Sequence, residues 1–298
     1  MRALRLAVGK TGSLFRSHSK LWVPFLVTAC AEAFLLLLVW LAPQPPFSHL
    51  FAPPIRYFFG ERVLHYPTHL WFLFHAMKQT HLVTSTLLGA FMTGVACVMV
   101  AQTYHHVPLS LREALASQQV RYIRVVTIWL ITWGIAKGLM AALVAMAPKS
   151  VWTLWGVLGL LILVQTLLVY AIPAAVYEGS AWWRAIVQGL REAARYPLST
   201  LMVVFIPSAA LACFSLIVTP NFVASWMEKT VPEIAVGFVG ARLLVSMFAD
   251  ALMSVAVAHL WWTHRALQRS PLPAAEPVNS SRVARQPAAL VEEGPVVA

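Results

Sequence analysis

The chain has 298 residues, of which 59% are hydrophobic and only 11% charged, whereas a soluble globular domain carries roughly a quarter charged residues. That balance excludes an ordinary soluble fold. The formal charge of +11 does not mark a nucleic-acid binder, because the cations gather in alternate connections between apolar runs.

Runs of about 20 apolar residues cross about 30 Å of hydrocarbon as a helix, the form that satisfies its own backbone hydrogen bonds in lipid. Six windows meet that length: 21–42, 82–104, 124–147, 151–176, 198–219 and 234–263. They predict an all-α transmembrane bundle of six spans, with interfacial helices beside it.

Residues 1–20 form a basic N-terminal segment with Arg2, Arg5, Lys10, Arg16 and Lys20. The first window is too long, and too far from the start, for a cleavable signal peptide. Next comes a long connection, 43–81, in which APQPPF and APPI argue against regular structure before residue 55. The apolar LWFLF at 70–74 reads as a surface or re-entrant helix.

After the second window come Arg112, Arg121 and Arg124. Ser110 and Glu113 stand at capping-box spacing and predict a helix over 110–122. After the fourth, SAWWRAIVQGLREAARY at 180–196 puts Trp182, Trp183, Ile186, Val187 and Leu190 largely on one side. Arg184, Arg191, Glu192 and Arg195 take much of the rest. Such a helix lies in a membrane surface with its apolar face down, and Pro197 breaks the run before the fifth window.

The tail opens with Arg265 and Arg269, and 270–298 is rich in Pro, Ala and Ser, a composition that predicts disorder. The remaining connections hold only Arg56, Arg62, Lys78, Lys149 and Lys229. This alternation predicts both termini in the cytoplasm. Trp22, Trp40, Trp152, Trp155, Trp226, Trp261 and Trp262 fall near window ends, where amphipathic rings favour the headgroup layer. An uncleaved six-span chain with a short tail fits a bacterial inner membrane. Cys30, Cys97 and Cys213 sit in separate windows without CxxC spacing, so they read as small buried residues.

GSLF at 12–15, LSLREAL at 109–115 and GSAWWRAI at 179–186 each precede two windows, a weak parallel repeat. The stretch AIPAAVYEGSAWWRAIVQGLREAARYPLSTLMVVF, 171–205, resembles a pattern in poorly characterised six-helix bacterial membrane proteins. It is also similar to the membrane domain of some glycerophosphodiester phosphodiesterases. Pro173, Glu178, Gly179, Ala185 and Arg195 carry the resemblance, with a weaker counterpart at 109–135. It implies a fold and no activity, since no catalytic phosphodiesterase domain accompanies it.

Four charges lie inside the windows: Glu32, Lys137, Arg242 and Asp250. Each costs about 2.5–3.5 kcal/mol at the bilayer centre if it faces lipid, so each is expected to face the bundle interior. Arg242 and Asp250 are about 12 Å apart along the axis and about 80° around it, too far to pair. Lys137 is then the expected partner of Asp250 and Arg242 that of Glu32, with Ser246 and Ser254 offering hydroxyls beside Asp250. Trp129, Trp133 and Lys137 share a face, placing a tryptophan in cation–π range. Gly134 and Gly138, continued by Ala141 or Ala142 and Ala145, form a small-residue face that admits another helix. The four charges form either a neutral buried network or a path for a proton, an ion or a polar headgroup.

His49, His65, His69, His75 and His81 crowd the long connection. Pro67 starts a helix that leaves His65 outside it, and the six-residue steps from His69 rotate each ring by about 240°. The set His65, His69, His75 and His81 therefore shares no face, and no metal or other cofactor is assigned. GxSxG, P-loop, HExxH and GxGxxG motifs are absent.

The first functional expectation is a non-enzymatic protein that organises or carries lipid or another amphiphile. Its surface helix, with Trp182, Trp183, Arg184, Arg191 and Arg195, would meet anionic headgroups of the bilayer. The second is a small-solute or proton-coupled transporter using Glu32, Lys137, Arg242 and Asp250. The third is a metal-dependent membrane enzyme. Lipid is the expected partner, with a membrane protein or a second copy as further candidates and no nucleic acid.

Overall fold

The computed structural model describes residues 2–66, 68–146, 151–217 and 233–269. Among these residues the regular structure is entirely helical. Helix α1 (Arg2–Ser17) and a 3-10 turn (Ser19–Trp22) lead into α2 (Val23–Leu41), and α3 (Ser48–Phe59) precedes a second 3-10 turn (Glu61–Leu64). Then come α4 (Thr68–Thr84), a π turn (Ser85–Gly89) and α5 (Ala90–Tyr104). Helices α6 (Leu111–Gln119), α7 (Tyr122–Met146), α8 (Val151–Leu168) and α9 (Ala171–Glu178) follow. The last three are α10 (Trp182–Arg195), α11 (Pro197–Ile217) and α12 (Ile234–Arg269). The expected tail 270–298 and most of the connection after α11, with Trp226 and Lys229, lie outside the described residues.

Six segments are long and apolar enough to cross a membrane: Ser19–Leu41, Thr68–Tyr104, Tyr122–Met146, Trp155–Glu178, Pro197–Ser215 and Ile234–Ala266. The protein is thus a multi-pass integral membrane protein of all-α class. The chain divides into two compact units, Met1–Trp262 and Thr263–Ala298. The first holds the contacts considered below; in the second, α12 runs on to Arg269.

Several features differ from or add to the sequence reading, among them Cys30 and Cys213, which are exposed where small buried residues were expected, while Cys97 is buried. The second span begins at Thr68, not at residue 82, because an α-helix carries the polar run from His75 to His81 without losing a backbone hydrogen bond. At 37 residues it is about 55 Å long, well beyond the hydrocarbon thickness. The N-terminal segment is a helix. Residues 48–59 are helical despite Pro53 and Pro54, since proline removes a donor but holds a φ that a helix accepts. The fourth span breaks at Val169–Tyr170, just before Pro173.

At one end of the bundle, the arginine-rich connections pack into the core. Ser110 caps α6, its Oγ accepting the Glu113 N–H at 3.3 Å. Gly179, with φ +62°, ends α9 in the left-handed conformation. The Arg121 and Arg124 guanidiniums donate to the carbonyls of Val176 and Gly179, cations placed where a helix C-terminus favours them. Helix α10 lays Ala185, Gly189 and Ala193 inward, and a Cβ on Gly189 would stand 2.7 Å from the Ala171 nitrogen. Trp261 is buried against Tyr170 and Tyr177. At the opposite end Leu36, Leu70, Leu73, Met77, Ala235 and Val239 join α2, α4 and α12.

Of the three repeat-like stretches, GSLF lies within α1, while LSLREAL and GSAWWRAI run into the starts of α6 and α10; each helix leads into two spans.

Candidate functional site

Between these spans lies a cavity of about 260 Å³. Its walls come from α2, α4, the π turn, α5, α7, α8, α9 and α12, and helical periodicity explains which side chains reach it.

On α2 the lining positions are Phe25, Thr28, Ala29 and Glu32, an i, i+3, i+4, i+7 stripe. Leu26, Phe34 and Leu37, on other faces, are exposed. On α12 the stripe is Leu243, Ser246, Met247, Asp250, Met253, Ser254 and Val257, about 21 Å along the axis. Leu244, Phe248 and Leu252 are exposed on its opposite side. Asp250 keeps an accessible side chain, and with the lipid-facing stripe turned away that access is to the cavity.

The second span lines the cavity with His81, Ser85, Gly89, Thr93 and Cys97, four residues apart each time. In an unbroken α-helix every such step turns about 40° further round the axis, about 160° in all. The wider i→i+5 turn at Ser85–Gly89 takes back part of that drift, so one wall is kept along the whole run. Trp129 and Thr132 come from α7, Gln165 and Leu168 from α8, Val169 from the break in the fourth span, and Ile172 and Pro173 from α9 just past it.

Glu32, 3% exposed, bonds His81. The imidazole Nδ1 lies 3.1 and 3.2 Å from the two carboxylate oxygens, and Nε2 is 3.4 Å from Ser85 Oγ. Asp250 and Arg242 stand within electrostatic reach of His81, and Arg242 within reach of Glu32. Ion pairs among the described residues include His81–Glu32, Arg56–Glu61 and Arg195–Glu192. Gln165 ties the wall together: its amide donates to Met253 Sδ at 3.1 Å and its Oε1 accepts the Ser208 hydroxyl of α11 at 3.1 Å.

The expected partners are therefore reassigned. Glu32 takes His81 in place of Arg242. Lys137 forms no ion pair with Asp250; it is exposed on α7, with its Nζ 6.0 Å from the Trp133 ring. Equal depth in two spans does not bring side chains together when one points outward. The cation–π contact is present, but the small-residue face is not a helix contact among the described residues: a Cβ on Gly134 or Gly138 would meet nothing within 4 Å. Trp129, stacked near-parallel to Trp133 at 6.4 Å, carries that stripe to the cavity wall.

Of the histidine set, His65 precedes α4, His69 and His75 lie along it, and His81 alone lines the cavity. Among the described residues no three His, Cys, Asp or Glu side chains gather closely enough to hold a metal ion. On α10, Trp182 and Trp183 are exposed, Arg184 stacks over Trp183 at 4.9 Å, and Arg195 pairs with Glu192 at 3.6 Å. Arg191 is exposed.

His81 entered the sequence reading only as a possible metal ligand of the long connection, and Thr28, Gln165 and Thr132 are among the lining residues it did not single out. The available signal was Glu32 itself, a carboxylate amid apolar sequence that requires a partner, together with a histidine at the very edge of the next window. In comparisons with known proteins, the chain matches no family model, no curated protein and no solved structure.

Proposed function

We propose that this is a bacterial inner-membrane transporter, with both termini in the cytoplasm, that takes a small polar solute into the cavity between Glu32, His81 and Asp250. One observation carries the reading: an acid-lined void among six apolar spans. Burying ionisable groups this way is costly in a membrane, and such residues characteristically mark solute, ion or proton pathways. A π turn on one wall and a broken fourth span on another add irregular backbone around a cavity, the form such sites take in transporters.

His81 gives the site a group that exchanges protons near neutral pH when free, bonded to the carboxylate that would hold or release its charge. Proton coupling would use this pair. The cavity supports transport better than lipid carriage, because a phosphate headgroup would meet two carboxylates. The exposed tryptophans and arginines of α10 serve as a cytoplasmic anchor on anionic lipid, each surface cation contributing about 1 kcal/mol.

The test is flux in sealed vesicles carrying the purified protein, under an imposed pH gradient. Uptake of three probes is followed: methylguanidinium, methylurea and methanesulfonate, permanently cationic, neutral and anionic. Wild-type vesicles are expected to take up at least one faster than protein-free vesicles, and Asp250→Asn vesicles to lose that gain. Rates equal to protein-free vesicles for all three would sink the transport reading.

A further inference from the structure

The same cavity carries a statement about what fits it, which rests on its being a ligand site. We infer that its ligand is a small organic cation, an ammonium or guanidinium group on a short apolar body.

The first observation is hydrogen-bond polarity. Three hydroxyls on the wall are already committed as donors to their own helices: Thr28 to the Pro24 carbonyl at 3.1 Å, Thr132 to Ile128 at 2.9 Å and Ser246 to Leu243 at 2.9 Å. A hydroxyl that donates backwards presents only lone pairs to the void. Gln165 accepts from Ser208 and donates to Met253. The His81 nitrogens face Glu32 and Ser85. Thr93 and Ser254 add hydroxyls that can donate or accept, but the fixed groups of the wall are acceptors, which suits a ligand that brings N–H donors.

Charge is the second observation. Glu32 is taken up by His81, and the charge of that pair is compensated when the imidazole is protonated. Asp250 opens onto the cavity and forms no ion pair among the described residues. No lysine or arginine lines the cavity among the described residues; Arg242 lies beyond the wall and Lys137 points outward. The third is the apolar part of the lining: Trp129, Met247 and Met253. An indole is the best side-chain partner for a cation, and two thioethers adapt to an irregular apolar body. A void of about 260 Å³ lies just below the usual range for drug-sized ligands, which limits the body to a few carbons.

The test is equilibrium binding to the protein in lipid nanodiscs, by titration calorimetry, separate from any flux. Methylguanidinium is expected to bind saturably, with methylurea and methanesulfonate far weaker. Asp250→Asn should weaken methylguanidinium by about tenfold or more, the loss of one charge-assisted contact, while Asp250→Glu retains it and Trp129→Leu weakens it. Equal binding of methylurea or methanesulfonate would overturn the inference, as would undiminished binding in Asp250→Asn. If Asp250→Asn does not fold, Trp129→Leu with wild-type helicity decides: undiminished methylguanidinium binding there overturns it. Selective binding without flux would leave the cation site standing and remove the transport reading. Flux of methylurea alone, without methylguanidinium binding, would do the reverse.

Discussion

A carboxylate in an apolar span has few ways of being tolerated, and Glu32 and Asp250 use different ones. Glu32 is enclosed and bonded to His81; Asp250 opens onto a void. His81→Ala would leave the Glu32 carboxylate, 4% exposed, without its partner while only the 44%-exposed imidazole is lost. That variant is expected to lower stability by about 1.5–3 kcal/mol, the range for a hydrogen bond to a charged group. A double-mutant cycle with Glu32→Gln should show coupling of about 0.5–3 kcal/mol, read from thermal unfolding in nanodiscs; additive losses would mean the two side chains do not act as a pair. Glycines make a second contrast. Gly189→Ala forces a methyl to within 2.7 Å of the Ala171 backbone nitrogen, and overpacking of that kind costs about 1–3 kcal/mol. Gly138→Ala meets open space and should keep or slightly raise the melting temperature, since alanine is the better helix former. Equal effects at both sites would show that α10 does not press on the break between α8 and α9.

At the scale of elements, the spans were legible because length and apolarity are one-dimensional properties, and a run of residues reports them directly. Rotation about the helix axis is not. The expected Lys137–Asp250 pair had the right depth and the wrong azimuth, and only packed neighbours decide azimuth. Glu32, Asp250, Ser246 and Ser254 stood out as candidates from position alone, whereas His81 was read as a histidine of the long connection, because the polar residues before it made the second window start too late. The π turn left no mark in composition. It does leave a testable consequence, since a π turn is an α-helix holding one residue too many. Deleting Leu87, which is exposed, is expected to restore α-helical winding and keep the span. The same deletion rotates His81 by about 100° relative to α5. Helical content should persist while the His81–Glu32 coupling disappears; retained coupling would mean that the π turn does not set the position of His81.

Across the whole molecule the open quantity is direction, because the cavity has two unlike ends. Glu32 and His81 lie toward the connection that holds α3, and Cys97, Ile172 and Pro173 toward the arginine-rich connections and α10. Charge asymmetry predicts that the arginine-rich end faces the cytoplasm, and part of that charge has a structural duty as well. Arg121 and Arg124 cap α9, so removing them would confound topology with stability. Sidedness is better read at exposed positions that bond nothing essential. Tyr57 on α3 and Val120 between α6 and α7 are 83% and 88% exposed, one at each end. With Cys30, Cys97 and Cys213 replaced by serine or alanine, Tyr57→Cys should react with a membrane-impermeant maleimide in intact cells. Val120→Cys should react only after the membrane is opened. The opposite pattern would invert the bundle, place the His81–Glu32 pair nearer the cytoplasm, and reverse the side from which a solute first meets the titratable pair.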